Sequence, residues 1–202
     1  MDTSPQPLAA TESVPALNTE TKMDKRTYGV DSGIALTDVR ISNFRSLANV
    51  EMELGDLTVL IGSNNAGKTS FLDALFAAVG SGRKALGPED VRIAAGETNA
   101  PRERAVIIDV RIRAVGDDGK LADSFPPGSY WVELWGASFI LDVDDFSESV
   151  GIRTRLAWSA IKGDYQAERK FLKEWRPFAD WLAAPVSEKV VSAQQLEPIA
   201  LH

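Results

Sequence analysis

Residues 60 to 75 read LIGSNNAGKTSFLDAL, which sets Gly62, four intervening residues, and then Gly67, Lys68 and Thr69 between an apolar run and a helical pattern. Each of these residue types suits a dense anion. A triphosphate concentrates too much charge for side chains alone to surround. An efficient site therefore turns main-chain N–H groups inward from a tight loop at a helix N-terminus. Gly62 and Gly67 permit the turn and the close approach of the backbone. Lys68 can reach the β- and γ-phosphates as a point charge, and the Thr69 hydroxyl can join the shell of a Mg²⁺ ion. Ser63, Asn64, Asn65 and Ala66 form the loop interior, and Ser70 begins the helix beyond it. Asn65 tolerates left-handed dihedrals better than other non-glycine residues, so the turn survives without a further glycine. The expected ligands are ATP and Mg²⁺.

Such a loop needs a strand before it and a helix after it. Leu57–Ile61, LTVLI, is a short continuous apolar run, as expected of a strand buried on both faces. After Lys68, the residues Phe71, Leu72, Leu75, Phe76 and Val79 fall on one helical face, and Gly80 and Gly82 end the pattern. Upstream, Leu36, Val39 and Ile41 alternate with polar residues, and NVEMELGD alternates again before a Gly-Asp turn, predicting two antiparallel strands.

Downstream, AVIIDVRIRAV predicts a strand and GDDGK a hairpin turn, with SYWVELWG as a partner strand after Pro126 and Pro127. Together they form a β-rich insertion. In GIRTRLAWSAI, the residues Ile152, Thr154, Leu156, Trp158 and Ala160 alternate against Arg153, Arg155 and Ser159, and KGD follows as a turn. The stretch YQAERKFLKEWRPFADWLA partly satisfies both the strand and the helix period, and LEPIALH reads as the start of a buried strand. Residues 1–33 are rich in Thr, Ser, Pro and charge without periodicity, which reads as a disordered tail ahead of a domain over 34–202.

Composition narrows the chemistry. The chain has no cysteine, which excludes disulfides and Cys-ligated metal sites, and its one histidine is His202, so histidine-based catalysis has little to work with. A net charge of −7 makes the surface as a whole repel nucleic acid, so DNA contact requires a local basic patch or another subunit. No apolar stretch approaches the roughly 20 residues of a membrane span, and the expected compartment is the cytoplasm.

Residues 36 to 75, running from I-S-N-F-R-S-L through a β-meander into G-S-N-N-A-G-K-T, resemble the N-terminus of the RecF/SMC/OLD group of ABC-type ATPases. The double Asn is closer to the OLD-type nuclease ATPases. The resemblance implies an α/β P-loop NTPase of the ABC-ATPase type, here its lobe I alone, with an antiparallel β-meander and a β-rich insertion. It implies a homodimer through ATP-bound heads, a second ATPase lobe or nuclease domain elsewhere, and DNA as a partner of the full assembly, with no membrane. By the same resemblance Asn64, Gly67, Lys68 and Thr69 match phosphate and magnesium contacts, while Arg45 and Ser46 match strand-end residues near the nucleotide.

Hydrolysis in such a head also needs an acidic motif to hold Mg²⁺ and orient water, and a signature loop from a second subunit. AVIID, ending at Asp109, is followed by Val where a catalytic Glu belongs, and FILDVDD supplies Asp142, Asp144 and Asp145 without a signature loop before it. Neither fits well, and no candidate for a nuclease metal site is visible. Arg102, Arg104, Arg111, Arg113, Arg153 and Arg155 occur as i, i+2 pairs, which on strands make either a basic stripe for DNA or a solvated face offset by acidic neighbours; the acidic total favours the second. The five tryptophans read as packing. The sequence thus predicts an ATP-binding lobe of an ATPase that couples nucleotide to DNA repair or defence. The rivals are a non-hydrolysing nucleotide-binding adaptor and a small-molecule P-loop kinase; the β-meander ahead of the loop argues against the latter.

Overall fold

The computed structural model describes residues 33–80 and 86–199. Residues 1–32 of the expected tail, Gly82 and the last three residues lie outside them, and Gly33 opens the first strand. The fold is α/β. A seven-stranded antiparallel sheet is built from β1 (Gly33–Phe44), β2 (Leu47–Glu53), β3 (Val106–Val115), β4 (Phe139–Leu141), β5 (Glu148–Ser159), β6 (Asp164–Leu172) and β7 (Val186–Val190). Its order is β2-β1-β3-β5-β6-β7, with β4 paired to β5. The helices are α1 (Lys68–Val79), α2 (Tyr130–Trp135) and α3 (Ala193–Leu196).

The two-residue period of the strands assigns the faces. Val39, Val110, Ile152 and Phe171 stand directly opposite one another across β1, β3, β5 and β6, all with no exposed surface. α1 packs on this row through Phe71, Ala74, Leu75, Ala77, Ala78 and Val79. The alanines let the helix approach the sheet closely, so the buried stripe is rotated from the expected one. Leu72 and Phe76 face solvent at 55% and 43% exposure.

One residue along each strand, the opposite face carries a charged row: Glu51, Arg40, Asp109, Arg153 and Lys170, again in direct register. Arg153 grips buried Asp109 with two bonds, Nε to Oδ1 at 2.8 Å and Nη2 to Oδ2 at 2.7 Å, and also donates to the carbonyls of Trp181 and Leu182. Arg40 pairs with Glu51 and lies 4.4 Å from the Trp175 ring centroid. The segment after β6 is thereby strapped across the sheet.

Two of these elements differ from expectation, and a third, left open between strand and helix, is decided. SYWVELWG is not a strand. Pro126, Pro127 and a left-handed Gly128 turn the chain, Ser129 stands in extended conformation at the N-cap position of α2 without a side-chain capping bond, and Trp131 stacks on Trp135 one helical turn on at 5.0 Å. The undecided stretch resolves as β6, because the turn at Gly163 (φ 64°) reverses it onto β5, and Pro177 lies in irregular chain beyond it. The final stretch forms α3 and a 3₁₀ turn at Glu197–Ile199 rather than a strand. The predicted turn at GDDGK is present, with Gly116 N–H donating to the Lys120 carbonyl at 2.8 Å.

The crossing from α1 to β3 is tied by Glu97. Its carboxylate accepts from both Arg104 nitrogens at 2.6 and 2.7 Å and from Ala94 N–H at 2.6 Å. The Arg104 hydrogen bond, followed by that of Ala94, holds its pKa down to about 2. A depressed carboxylate stabilises above its unfolded pKa and loses that contribution as pH falls through the folded value. The expected result is a Glu97 carboxyl carbon resonance that titrates with a midpoint near 2, and that returns toward the ordinary value in Arg104→Ala.

Candidate phosphate-binding site

The β1–β2 turn and the glycine loop build one cavity together. Its volume is about 600 Å³, and Arg45, Ser46 and the run Asn64–Ser70 line it. Gly62 and Ser63 lie just outside this wall. Their carbonyls accept from Lys68 Nζ at 2.7 and 2.8 Å, so the lysine folds back over its own loop.

The local sequence accounts for the loop's shape. Asn65 and Gly67 both adopt left-handed dihedrals, φ 71° and 87°, the first tolerated by Asn and the second suited to Gly. A Cβ on Gly67 would lie 2.7 Å from Leu47 Cδ2 and 3.3 Å from Ser46 Oγ, so the turn after β1 presses directly on the loop. Gly67→Ala is expected to cost about 1–2 kcal/mol for the left-handed backbone and to displace Leu47. Thermal melting and nucleotide titration of the variant should both show the loss.

Asn43 and Arg45 reach the turn with φ of 58° and 48°. Arg45 is held there from both sides. Its Nε donates to buried Asp90 at 2.8 Å, its Nη1 to Asp73 on α1, and its N–H to the Asp90 carbonyl at 2.9 Å. Burial pulls the Arg45 pKa down, but the hydrogen bonds to Asp90 and Asp73 outweigh it and leave the guanidinium above its ordinary value. Ser46 Oγ meets Ser70 Oγ at 3.2 Å, a second tie to the start of α1. Asp73, Asp90 and Leu47 are thus part of the site's support. The sequence carries no sign of them, because their partners are 20 to 45 residues away in register nothing local specifies.

The first turn of α1 contains no acidic residue, so nothing on the helix competes for the positive end of its dipole. Left-handed loop backbone, exposed Thr69, Lys68 and an open helix N-terminus form a donor set that fits a polyphosphate and its Mg²⁺.

One expectation fails here. Leu57–Ile61 belongs to no strand, and Leu57, Val59 and Ile61 are 83%, 65% and 91% exposed. The loop is therefore entered from an apolar segment that has no sheet neighbour among the described residues.

Neither acidic candidate reaches the cavity. Asp109 points to the sheet face opposite α1 and is consumed by Arg153; burial raises its pKa, while the Arg153 hydrogen bonds oppose the shift. Asp142 and Asp145 pair with Arg111 and Arg113, and Arg113 stands opposite Ala35. That is nine residues along β1 from Phe44, or roughly 30 Å at strand rise. Hydrogen bonding from the Asp144 N–H holds Asp142 below the usual carboxylate range, and hydrogen bonding from Ser147, by side chain and then by main chain, does the same for Asp145. The arginine pairs are likewise engaged: Arg104 with Glu97, Arg111, Arg113 and Arg153 as above, and Arg155 with Glu168 at 3.7 Å. Arg102 covers Trp158 at 4.3 Å. The arginines are therefore engaged by acidic or aromatic partners rather than forming a bare basic stripe, but the face is not a solvated one: Arg153 is buried, and Arg111 and Arg113 are largely covered.

A family model described as AAA ATPase domain matches residues 35–180. Among solved structures, the chain is similar to the recombination mediator protein RecF with ATP in the RecFOR pathway, at 14% identity and TM-score 0.38, covering 68% of this chain and 28% of that one. It is similar also to RecF-ATPrS in the same pathway, at 18% identity and TM-score 0.37, covering 74% and 30%. The chain thus spans less than a third of the length of these structures. No curated protein matches the sequence.

Proposed function

The chain belongs to the AAA ATPase domain family, and on that premise we propose that the loop Gly62–Ser70, with Arg45 and Ser46 as its wall, binds Mg²⁺-ATP. The reading rests most on one observation: a left-handed Gly67 is pressed by Leu47 at the head of a helix with no acidic residue in its first turn. Main-chain N–H groups of the loop and Lys68 would hold the polyphosphate, and Thr69 would contribute to the Mg²⁺ shell. Mg²⁺-ATP supplies the phosphoanhydride that an ATPase cleaves. Arg45, committed to Asp73 and Asp90, acts as a positioning residue that fixes the turn against α1.

We place the chain as the nucleotide-binding lobe of a RecF/OLD-like ATPase that couples ATP to DNA processing, in repair or in defence against foreign DNA. No carboxylate lines the cavity among the described residues. Hydrolysis then depends on a second lobe or partner that brings the acidic residue, and on pairing of two ATP-bound heads. In the second reading, a nucleotide-binding adaptor without turnover, the same missing carboxylate is permanent. Titration calorimetry with Mg²⁺-ATP is expected to give saturable one-to-one binding to the chain, and phosphate release by the chain alone is expected at the uncatalysed rate. Absence of binding overturns the proposal. Hydrolysis by the native assembly, stimulated by DNA, separates the ATPase from the adaptor.

A further inference from the structure

We infer that the acidic and apolar end of the sheet around the β4–β5 loop is a docking surface for residues 22–30 of this same chain, the basic stretch that leads into β1. The inference is independent of the nucleotide site, which lies at the other end of β1.

Two neighbouring loops build the surface. Leu141, Val143 and Phe146 of the β4–β5 loop are 59%, 83% and 73% exposed, and Leu121, just past the turn that follows β3, is 48% exposed. Phe146 also holds φ at 56°. A bulky residue in the left-handed region is a backbone outlier, and here no burial of the ring in the core offsets the strain. Carboxylates accompany these side chains. Asp117, Asp118, Asp123, Asp144 and Asp145 are exposed, and Lys120 is the one basic residue of the two loops. Among the described residues Asp117, Asp118, Asp123 and Asp144 enter no ion pair, whereas Asp145 lies 3.8 Å from Arg113. The surface therefore calls for a partner that is basic and apolar at once.

Position and charge select the occupant. Gly33 pairs with Val115, Val115 bridges Leu121, and the Glu148 N–H donates to the Asp123 carbonyl at 2.6 Å. Three strand spacings, roughly 15 Å, thus separate Gly33 from the base of the β4–β5 loop. Val30 and Lys25 stand three and eight residues before Gly33, a reach of roughly 10 to 26 Å in extended chain. Residues 1–21 carry Asp2, Glu12 and Glu20 and no base, whereas residues 22–30 gather Lys22, Lys25 and Arg26 against Asp24, with Met23, Tyr28 and Val30 among them. A segment tethered so closely meets the surface at an effective concentration on the order of millimolar, an advantage no free partner has. The aspartates repel nucleic acid and anionic membrane, and the same face of a second copy would bring only more carboxylates.

The test places a photoreactive side chain on the loop, Val143→p-benzoylphenylalanine, in the full chain, and maps the adduct by mass spectrometry in a mixture of isotope-labelled and unlabelled protein. The expected adduct joins the loop to residues 22–30 of the same polypeptide, with a yield that does not depend on protein concentration and falls as salt rises. An adduct between two chains, an adduct elsewhere, or none overturns the inference. On this background Lys25→Glu/Arg26→Glu is expected to cut the yield by about threefold or more, and the further change Asp117→Lys/Asp144→Lys to restore most of it. An unchanged yield in the first variant, or no recovery in a second that still melts cooperatively, overturns the inference. If the second variant does not fold, Asp117→Asn/Asp144→Asn with the native tail decides: the yield is expected to fall about twofold, and an unchanged yield overturns the docking surface.

Discussion

Lys68→Ala is expected to weaken Mg²⁺-ATP binding by at least about a hundredfold, close to 2.7 kcal/mol, with no change in melting temperature. The two halves of this result have different causes. Charge-assisted hydrogen bonds to an anion contribute about 1.5–3 kcal/mol each, and Lys68 is the only lysine or arginine in the loop from Gly62 to Ser70. Its contribution to the fold is small, because among the described residues its Nζ bonds only to the Gly62 and Ser63 carbonyls, at an exposed position. Calorimetric titration measures the first effect and thermal denaturation the second. Equal affinity in the variant would refute the site, whereas a collapsed melting curve would show that the lysine holds the loop rather than the ligand. Arg45 cannot substitute for it while Asp73 and Asp90 hold the guanidinium.

Asp109→Ala is expected to act the other way, costing about 3–5 kcal/mol of stability, the usual penalty for stranding one partner of a buried ion pair. The side chains of Asp109 and Arg153 are 2% and 7% exposed, so the orphaned guanidinium could not recover its solvation. For a chain of this length the loss corresponds to a fall in melting temperature on the order of 10 °C. Mg²⁺-ATP affinity measured below that transition should be unchanged, since Asp109 sits on the face of the sheet away from α1. The double variant Asp109→Leu/Arg153→Met is expected to recover part of the loss, because removing both charges removes the stranded one. Full recovery is not expected, since Arg153 also ties the carbonyls of Trp181 and Leu182 to the sheet. The same experiment decides the role of Asp109. A residue that held Mg²⁺ would show the converse pattern, with stability retained and metal-dependent binding lost.

The sequence by itself determined whatever depends on neighbours in the chain. The spacing from Gly62 to Thr69 located the loop, because close backbone approach and left-handed dihedrals are properties of the residues that adopt them. Alternation located β1, β2, β3 and β5, because a strand with one face on a core repeats every two residues. The same period made the back face of β3 and β5 legible as arginine-rich, but not what the arginines do.

Tertiary structure alone decided the partners. Arg153 meets Asp109 and Arg45 meets Asp90 across 44 and 45 residues of chain, and both pairs exist only once the register β1-β3-β5 or the turn after β1 is set. The buried stripe of α1 lies one step from the one hydrophobicity favours, which includes Leu72 and Phe76, because close packing on a sheet favours Ala74 and Ala78. SYWVELWG took a helix because Pro126, Pro127 and Gly128 turned the chain and a stacked Trp131–Trp135 pair was available at helical spacing. LTVLI has strand composition, but a strand is a relation between two segments, and no second strand pairs with it within the described residues. Residue type states what a backbone can adopt; only contact between distant segments determines which hydrogen bonds and which desolvated surfaces make that conformation the stable one.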